Sequence, residues 1–472
     1  MSSGLLPSAD LRLAGGSAGS DAVPLLQRPL ASYYLVLGSS TMLICLGLVM
    51  VLSASSVEAY TELDSSFSIF QKQATFALLG VPVMIVAARL PVNFYRRIAY
   101  PALLASLAGL VLVLIIGHEV DGGRRWIRLG PIMVQPSEPA KLALALYGAH
   151  VLTRKSRLLH YWKHLLVPVL PAGLVVATLV MLQPDLGTTI VAMLVVLALL
   201  WVVGAPLRLF GALVGGLLAL TVLLIIVEPY RMRRITGFLD PFATASNEGH
   251  QAVQGMYAFA SGGWWGVGLG ASRQKWDYLP NQYTDFIYAI IGEELGLFGS
   301  LVVLVLFGLL GYGGIRIARR TSDPFVRLAT AGIIAWIVGQ GLINMCTVVG
   351  LLPITGIPLP MVSYGGTSML TSMFALGMLL SFARTEPGAA QALASRPTLL
   401  RRALSHVPPD LTVPGRLRRR PGRGAAGRTA RPARTAAGSA RPAGDGGSRR
   451  ISPRATSDVP GRRGPAASPR SR

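Results

Sequence analysis

The sequence predicts an all-α polytopic membrane protein with about ten transmembrane helices, cytoplasmic N- and C-termini and one long extracellular loop between helices 7 and 8. Composition is the first reason. Hydrophobic residues make up 52% of the 472 residues and charged residues 14%, and no soluble core needs so much apolar sequence. The apolar residues also fall into ten separate runs near the length that crosses a bilayer. A third reason is that Lys and Arg collect in alternate connections between these runs.

The ten apolar segments define a membrane domain over residues 34–384. Several contain Gly or Pro, which membrane helices tolerate. They lie near 34–54, 70–89, 99–117, 137–153, 165–183, 186–204, 207–227, 285–316, 325–350 and 362–383. Residues 1–33, rich in Ser, Gly and Ala, predict a disordered cytoplasmic tail. The two cysteines lie in apolar runs and the six histidines lack ligand spacing, so neither a disulfide framework nor a zinc site is predicted.

Orientation follows from the connections at 89–97, 154–163 and 316–327, which hold many Lys and Arg residues. Cytoplasmic loops carry such residues, so the opposite loops, including 228–284, should face outward. Two arginine clusters break this rule. They are Arg124, Arg125 and Arg128 before segment four, and Arg231, Arg233 and Arg234 after segment seven. An anionic ligand such as a phosphate or diphosphate would explain both clusters. Pairing with lipid headgroups is the alternative explanation. It has the same weight as the anionic ligand for the second cluster and less weight for the first.

Three charged residues lie inside or beside the apolar segments. Glu138 and Lys141 are three residues apart and therefore neighbours on one helical face. Charges within membrane helices are functional candidates, but a structural ion pair is an equal alternative. Asp185 separates segments five and six near the outer surface, where its alternative role is to cap segment six.

Asp285 heads segment eight, at the outer mouth of the predicted bundle. Thr284 is the predicted N-cap, which places Asp285 in the first helical turn, where the helix dipole favours a carboxylate. Gly292, Gly296 and Gly299 follow on the same side and predict a small-residue stripe that admits a neighbouring helix. The carboxylate should then face protein rather than lipid. The alternative is an acid that only caps a helix at the interface.

Two outward stretches contain irregular backbone. Residues 261–280 combine glycines with tryptophans, and residues 353–367 are broken by Pro and Gly. Irregular backbone at membrane depth occurs where it lines a cavity or is buried in protein. Residues 385–472 contain 19 Arg, no Lys and four acids, which predicts a disordered cytoplasmic arm attracted to anionic lipid or an acidic protein.

Five motifs in order are shared with a known family. They are Arg125-Trp126 with Leu129-Gly130 and Gln135-Pro-Ser-Glu138…Lys141, then Gln183-Pro-Asp-Leu-Gly-Thr188, the stretch 261–280, the stretch 284–296, and Pro358-Leu-Pro…Ser363-Tyr-Gly-Gly366. On these residues the chain, over about 30–384, resembles the SEDS (shape, elongation, division and sporulation) proteins, and its division branch more than its rod-elongation branch. It departs from the family in two places. Asn281-Gln282-Tyr283 stands where Glu-(Ala or Ser)-His is common, and the usual Gly-Tyr is lacking before Gln251.

The resemblance implies a peptidoglycan glycosyltransferase of the bacterial plasma membrane. Such an enzyme polymerises lipid II, a disaccharide-pentapeptide on undecaprenyl diphosphate, at the outer face of the division septum, with inversion at the anomeric carbon. The reaction needs a base and cations for the leaving diphosphate. On the matched motifs Asp285 is assigned as general base, and Arg125 with Arg128 and Lys275 as the phosphate-binding cations. The remaining predicted substrate-binding residues in those motifs are Trp126, Glu138, Lys141, Asp185 and Ser363.

The resemblance also implies which partners the chain has, and it leaves alternative functions open. The partners are a class B penicillin-binding protein transpeptidase and other division proteins recruited through the C-terminal arm. Nucleic acid is not an expected partner, because no aromatic or folded platform accompanies the arginines. No cofactor or protein-bound metal is assigned, and a divalent cation stays an open alternative. A lipid II flippase, the rod-elongation paralogue of the polymerase, and a scaffold for division proteins are the competing functions.

Overall fold

The computed structural model describes residues 29–120, 123–130, 132–158, 161–227, 232, 236–247, 249–276 and 278–394. Most of the two predicted tails, residues 1–28 and 395–472, therefore lies outside the described residues. The second arginine cluster, Arg231, Arg233 and Arg234, lies outside them as well. The five shared motifs fall within the described ranges almost completely.

The described chain is mostly helical, as predicted. Its α-helices are α1 (Ala31–Leu63), α2 (Ser68–Arg89), α3 (Val92–Ile116), α4 (Ser137–Arg154), α5 (Trp162–Leu166), α6 (Leu170–Met181), α7 (Leu186–Val203), α8 (Leu207–Val227), α9 (His250–Gly262), α10 (Ile287–Arg320), α11 (Pro324–Val348), α12 (Gly366–Ala383) and α13 (Ala389–Ala394). Among the described residues, seven helices are long and apolar enough to cross a membrane: α1, α2, α3, α7, α10, α11 and α12. The other three predicted spans correspond to α4, which carries three charged residues, and to the shorter apolar runs of α6 and α8.

Helix α11 joins two parts of the bundle. It packs against α4 and α7 on one side and against α10 on another, while α12 packs on α2 and α1 on α10. Its buried face carries large apolar side chains, with Phe325 and Ile337 fully buried and Trp336 1% exposed. This burial excludes both water and lipid from the inside of the bundle, so polar side chains of α11 must find partners within the protein.

A small antiparallel sheet lies between α3 and α4 and corrects the all-α expectation. Its strands are β1 (His118–Val120), β2 (Gly123–Leu129) and β3 (Ile132–Val134), in the order β1-β2-β3. Along β2, Gly123 and Ile127 are buried, whereas Arg124 and Arg128 are exposed. The strand is defined by its pairing on both edges, with Trp126 opposite His118 and Ile127 opposite Val134. The predicted outer loop 228–284 is likewise not purely irregular, because it contains α9.

The end of the bundle opposite the sheet is closed by ion pairs. Arg96 of α3 lies 2.5 Å from Asp323, the N-cap of α11. Arg320, the last residue of α10, lies 3.6 Å from Glu386. Beyond residue 385, the predicted start of the C-terminal arm, the described chain stays packed on the bundle through Glu386 and forms α13; the boundary of the arm stays a prediction. The Arg320–Glu386 ion pair thus holds against the bundle a segment that composition alone predicts to be part of a disordered tail.

Candidate functional site at one end of the bundle

Asp285 lies in a turn just before α10, and not in its first helical turn. The helix begins at Ile287, and no side chain caps it. The hydroxyl of Thr284 donates instead to the carbonyl of Asn281, at 3.2 Å, so the predicted N-cap is wrong. Asn281 has a φ of 56°, and its carbonyl also accepts the backbone N–H of Phe286. A left-handed residue that turns the chain four residues before Asp285 delays the helix, and asparagine tolerates that conformation.

The Asp285 turn is held against the irregular stretch before α12 by Asn344 of α11. The Asn344 side-chain amide donates to the Asp285 carbonyl at 2.7 Å and to the Ile357 carbonyl at 2.8 Å. Asp285 itself is half-buried, and its carboxylate lies beside Gly356, 3.6 Å from where a Cβ would stand there. Gly356 has a φ of 69°, which favours glycine. One buried amide thus fixes the backbone on both sides of the carboxylate.

Substituting Asn344 should therefore lower activity by misplacing Asp285. We expect Asn344→Asp, which keeps the shape but loses the N–H donors, to reduce kcat by about 10²-fold, since misplacement by about 1 Å costs that much. The KM should change little. Leu342→Ala, at an exposed position of the same helix, is the control. Steady-state kinetics of glycan synthesis measure both, and equal kcat values for the two variants would remove the positioning role.

Arg125 joins the sheet to the turn between α6 and α7. Its Nε donates to the Gln183 carbonyl at 3.3 Å, and its Nη2 donates to the Pro184 carbonyl at 2.7 Å. Gly187, in the first turn of α7, packs so tightly on the stretch before α12 that a Cβ would lie 2.7 Å from the Thr355 carbonyl oxygen. Thr355 precedes Gly356, the neighbour of the Asp285 carboxylate. Three of the five shared motifs, those of Arg125, Gln183 and Asp285, are therefore linked by a set of contacts that runs through the stretch before α12.

Asp185 and Ser363, two further predicted residues, hold backbone in this assembly. The Asp185 carboxylate is 4% exposed and accepts the backbone N–H of Thr188 at 2.9 Å, which caps α7. The Ser363 hydroxyl accepts the backbone N–H of Leu359 at 2.8 Å. Both contacts stabilise turns that carry the site. Of the other predicted residues in the sheet, Trp126 is half-buried and Arg128 is exposed.

Glu138 and Lys141 form an ion pair inside the bundle. Lys141 Nζ lies 2.8 Å from Glu138 Oε1, and the two side chains are 1% and 2% exposed. The same ammonium donates to Gln340 Oε1 at 2.7 Å and lies 5.3 Å from the centroid of the Trp336 ring. Gln340 in turn donates to the Pro358 carbonyl at 2.9 Å. The pair therefore ties α4 to α11 and, through Gln340, to the stretch before α12.

Glu293 and Glu294 of α10 anchor the long outer loop, a role that the motif match alone did not predict. Both are 1% exposed. Glu293 accepts the Ser272 hydroxyl and the backbone N–H of Arg273. Glu294 accepts the Ser53 hydroxyl of α1 at 2.6 Å. Two consecutive acids inside an apolar helix are costly unless they are hydrogen-bonded, and this was the signal in the sequence.

Lys275 belongs to the same anchor. Its ammonium donates to the Gly270 carbonyl and lies 3.9 Å from Glu294 Oε1, with the side chain 7% exposed. A cation held this way by buried partners stabilises the loop. As a phosphate ligand, Lys275 stays a prediction.

Two of the three glycines in the predicted small-residue stripe below Asp285 pack closely against a neighbouring segment, as predicted, and the third does not. A Cβ at Gly292 would lie 2.4 Å from the Phe259 ring of α9, and one at Gly296 would lie 2.4 Å from the backbone nitrogen of Gly266. A Cβ at Gly299 would instead meet Leu295 of the same helix. The reason is that α10 breaks at Gly296, where φ is 69° and ψ is −167°, so a regular helical wheel does not continue past it.

Comparison with known proteins places this assembly in a family. The sequence model of the FtsW/RodA/SpoVE family, described as "cell cycle protein", matches residues 34–387. The chain belongs to this family. The match spans α1 to α12 and includes all the motifs that meet around Asp285.

Curated relatives in the family cover most of the chain. The chain is 41% identical over 395 residues, or 83% of its length and 75% of the relative's, to "Probable peptidoglycan glycosyltransferase FtsW" of Mycobacterium tuberculosis. It is 40% identical over 351 residues, or 73% of its length and 88% of the relative's, to the protein of the same name in Hahella chejuensis.

Solved structures in the family share the fold. A chain from "Structural coordination of polymerization and crosslinking by a peptidoglycan synthase complex" aligns with a TM-score of 0.61 at 29% identity, covering 74% of this chain and 96% of the other. Thermus thermophilus rod shape determining protein RodA aligns with a TM-score of 0.57 at 27% identity, covering 75% and 97%.

At the position where the chain departs from the common family pattern, the replacing residues contact α1. The Tyr283 hydroxyl donates to Glu58 Oε1 at 2.9 Å, and the Gln282 side chain donates to the other carboxylate oxygen of Glu58 at 3.5 Å. Glu58 was missed by the sequence analysis because its partners lie more than 200 residues away. It ties the Asp285 turn to α1. In the described part of the chain, no group of three or more His, Cys, Asp or Glu side chains could hold a metal ion.

Proposed function

We propose that this chain is a peptidoglycan glycosyltransferase that polymerises lipid II at the outer face of the membrane during septal cell-wall synthesis. The observation that carries the proposal is the set of contacts that links Arg125, through the α6–α7 turn and then the stretch before α12, to the half-buried Asp285 carboxylate. The names of the relatives, all at about 40% identity, support the same activity. Their FtsW name, set against 27% identity to RodA, supports the division branch over the rod-elongation branch.

The proposed reaction transfers a glycan onto an acceptor hydroxyl with inversion. Asp285 accepts the proton of the 4-hydroxyl of N-acetylglucosamine as its oxygen attacks the anomeric carbon of the donor. The bond from that carbon to the lipid diphosphate breaks, and the diphosphate leaves with the electron pair. Arg125 stabilises the developing charge, because a guanidinium has more N–H groups than the two that hold Gln183 and Pro184. Arg128, Trp126 and Lys275 are secondary candidates for substrate contacts, and Glu138, Lys141, Asp185 and Ser363 act by positioning the site.

Membrane topology and partners complete the proposal. Ten spans, with both termini cytoplasmic and the sheet, α9 and Asp285 outside, agree with the gathering of the outward motifs at one end of the bundle. A class B penicillin-binding protein is the proposed partner, supported by the likeness to a chain of a complex that couples polymerisation to crosslinking. The Arg-rich arm is proposed to recruit other division proteins at the septum.

The direct test is synthesis of glycan strands from purified lipid II by the purified chain together with its transpeptidase. We expect strands longer than the starting disaccharide, separated by gel electrophoresis after removal of the lipid. A preparation that is folded and bound to its transpeptidase yet makes no strands would contradict the proposed function.

Arg125 offers a sharper test of how the diphosphate is bound. Arg125→Ala should lower kcat/KM for lipid II by about tenfold to a hundredfold, since a charge-assisted hydrogen bond contributes about 1.5–3 kcal/mol. Arg124→Ala is the matched control, because Arg124 is the exposed neighbour, and its ion pair to Glu119 is long, at 3.9 Å. Equal losses in both variants would mean that these arginines act only as headgroup anchors. Arg231→Ala, in the second arginine cluster, should also lower kcat/KM less than Arg125→Ala does.

Transport of lipid II is the alternative function, motivated by the buried charges of Glu138, Lys141 and Asp185. In the structure, however, these groups are bonded to one another or to backbone. A transport pathway needs charges accessible from both faces. The described contacts therefore favour catalysis at one face.

A further inference from the structure

A cavity of about 250 Å³ opens beside the Asp285 turn, on the α9 side. The lining residues come from the start of the long loop, α9, the end of α11 and the stretches next to the proposed base. They are Gly237, Phe238, Asn247, His250, Gln251, Ala252, Pro280, Thr347, Gly350, Leu352 and Ile354. Of these lining residues, only Pro280 belongs to a shared motif.

Two contacts connect the cavity to the site. The Gln251 side-chain amide donates to the Pro280 carbonyl at 3.0 Å, and Pro280 directly precedes the turn of Asn281. Ile354 lies two residues before Gly356, which stands beside the Asp285 carboxylate. In addition, Gly255 of α9 packs on the ring of Phe286. The cavity therefore adjoins both loops that bring Asp285 into place, whereas Arg125 is linked, through the α6–α7 turn, to the stretch before α12 only.

The chemistry of the lining points to an uncharged, hydroxyl-rich ligand. Among the described residues that line the cavity, none is Lys, Arg, Asp or Glu, so this described lining favours an uncharged ligand. Asn247, His250, Gln251 and Thr347 instead have side chains that both donate and accept hydrogen bonds, as sugar hydroxyls and an acetamido group do. Gln251 and Thr347 each donate one hydrogen bond within the protein, to the Pro280 and Pro353 carbonyls, and their oxygens can also accept. Phe238 adds an apolar ring. A few polar groups placed around an apolar surface are typical of ligand sites.

We propose that this cavity binds the terminal N-acetylhexosamine of the acceptor, with its 4-hydroxyl directed at Asp285. The proposal rests on the proposed function and adds to it the acceptor position. A polymerase needs two substrate positions flanking its base, one for the leaving diphosphate and one for the attacking sugar. Arg125 serves the charged donor, and the uncharged cavity on the α9 side serves the acceptor. The His250 imidazole, whose Nε2 lies 3.5 Å from the Gln254 side-chain amide, supplies a further hydrogen-bonding group.

The test uses N,N′-diacetylchitobiose, an uncharged soluble disaccharide, and binding followed by saturation-transfer NMR on the purified full chain. Ala252→Phe fills the cavity and should weaken binding by at least about tenfold, or about 1.4 kcal/mol. Ala260→Phe is the matched control, since Ala260 is an exposed residue of α9 outside the cavity. Asp285→Asn should bind the disaccharide as the wild type does. Cellobiose, which lacks the acetamido groups, should bind more weakly.

Kinetics give the second readout. Ala252→Phe and the milder His250→Ala should raise the KM for lipid II more than they lower kcat, and Ala260→Phe should change neither. If Ala252→Phe does not fold, as judged by thermal unfolding in detergent, the test rests on disaccharide binding and the KM of His250→Ala alone. Unchanged disaccharide binding and KM in the cavity variants of an active polymerase would overturn the proposal and leave the proposed function standing. If the chain binds the disaccharide but makes no glycan, the proposed glycosyltransferase function would be overturned, whereas the proposal that the cavity binds a sugar would stand.

Discussion

Asp285→Asn is expected to abolish polymerisation of lipid II, with a loss of at least about 10²-fold and up to about 10⁴-fold, the range for removing a general base. Asparagine keeps the size of the side chain but cannot accept the proton. The backbone carbonyl of residue 285 keeps its hydrogen bond to Asn344, so the turn before α10 should keep its conformation. The rate of strand formation, measured with saturating lipid II, reports the effect.

Folding controls separate a catalytic loss from a structural one. The Asp285→Asn protein should unfold at the same temperature as the wild type and should copurify with its transpeptidase. Asp285→Glu should recover little activity, because the extra methylene moves the carboxylate by about 1 Å, which can cost about 10²-fold. Full activity in Asp285→Asn would show that the carboxylate has only a structural role in its turn.

Lys141→Met is expected to be the most destabilising single substitution. It leaves the Glu138 carboxylate buried without its partner, and removing one partner of a buried pair costs about 3–5 kcal/mol. Glu138 already has one buried carboxylate oxygen without a hydrogen-bond partner among the described residues, so it has no spare contact to compensate. The thermal unfolding midpoint in detergent measures the loss.

The double variant Glu138→Gln with Lys141→Met decides what the pair does. If its role is to hold the bundle together, the double variant should regain most of the stability, since replacing both charges is often neutral. Activity should return with stability. Recovered stability without recovered activity would assign the pair a direct role toward substrate. Phe307→Leu, a conservative change at a buried position of α10, controls for general loss of packing.

The sequence predicts the helical segments well because their signal is local. The boundaries of α2, α7 and α12 agree with the apolar runs to within a few residues. The indirect link between Arg125 and Asp285 could also be expected, because outward loops of one bundle gather at one end.

What the sequence could not show depends on contacts between distant residues. The turn that delays α10 relies on Asn344 and Glu58, which are 59 and 225 residues from their partners. Thr284-Asp-Phe-Ile would otherwise begin a helix, as expected from capping rules. The break at Gly296 depends on the backbone at Trp264 and Gly266 filling the space. The sheet was missed because β1 and β3 have only three residues each, and β2, Gly123–Leu129, does not alternate between apolar and polar residues.

The most direct test of the proposed site measures polymerisation and transport in the same vesicles. The wild-type chain or Asp285→Asn is reconstituted with its transpeptidase in liposomes that contain fluorescent lipid II, and both strand length and movement of lipid II between leaflets are followed. We predict strands with the wild type, none with Asp285→Asn, and no movement above that of empty vesicles with either. Movement of lipid II that requires the chain, without strands from the wild type, would contradict a polymerase site at Asp285.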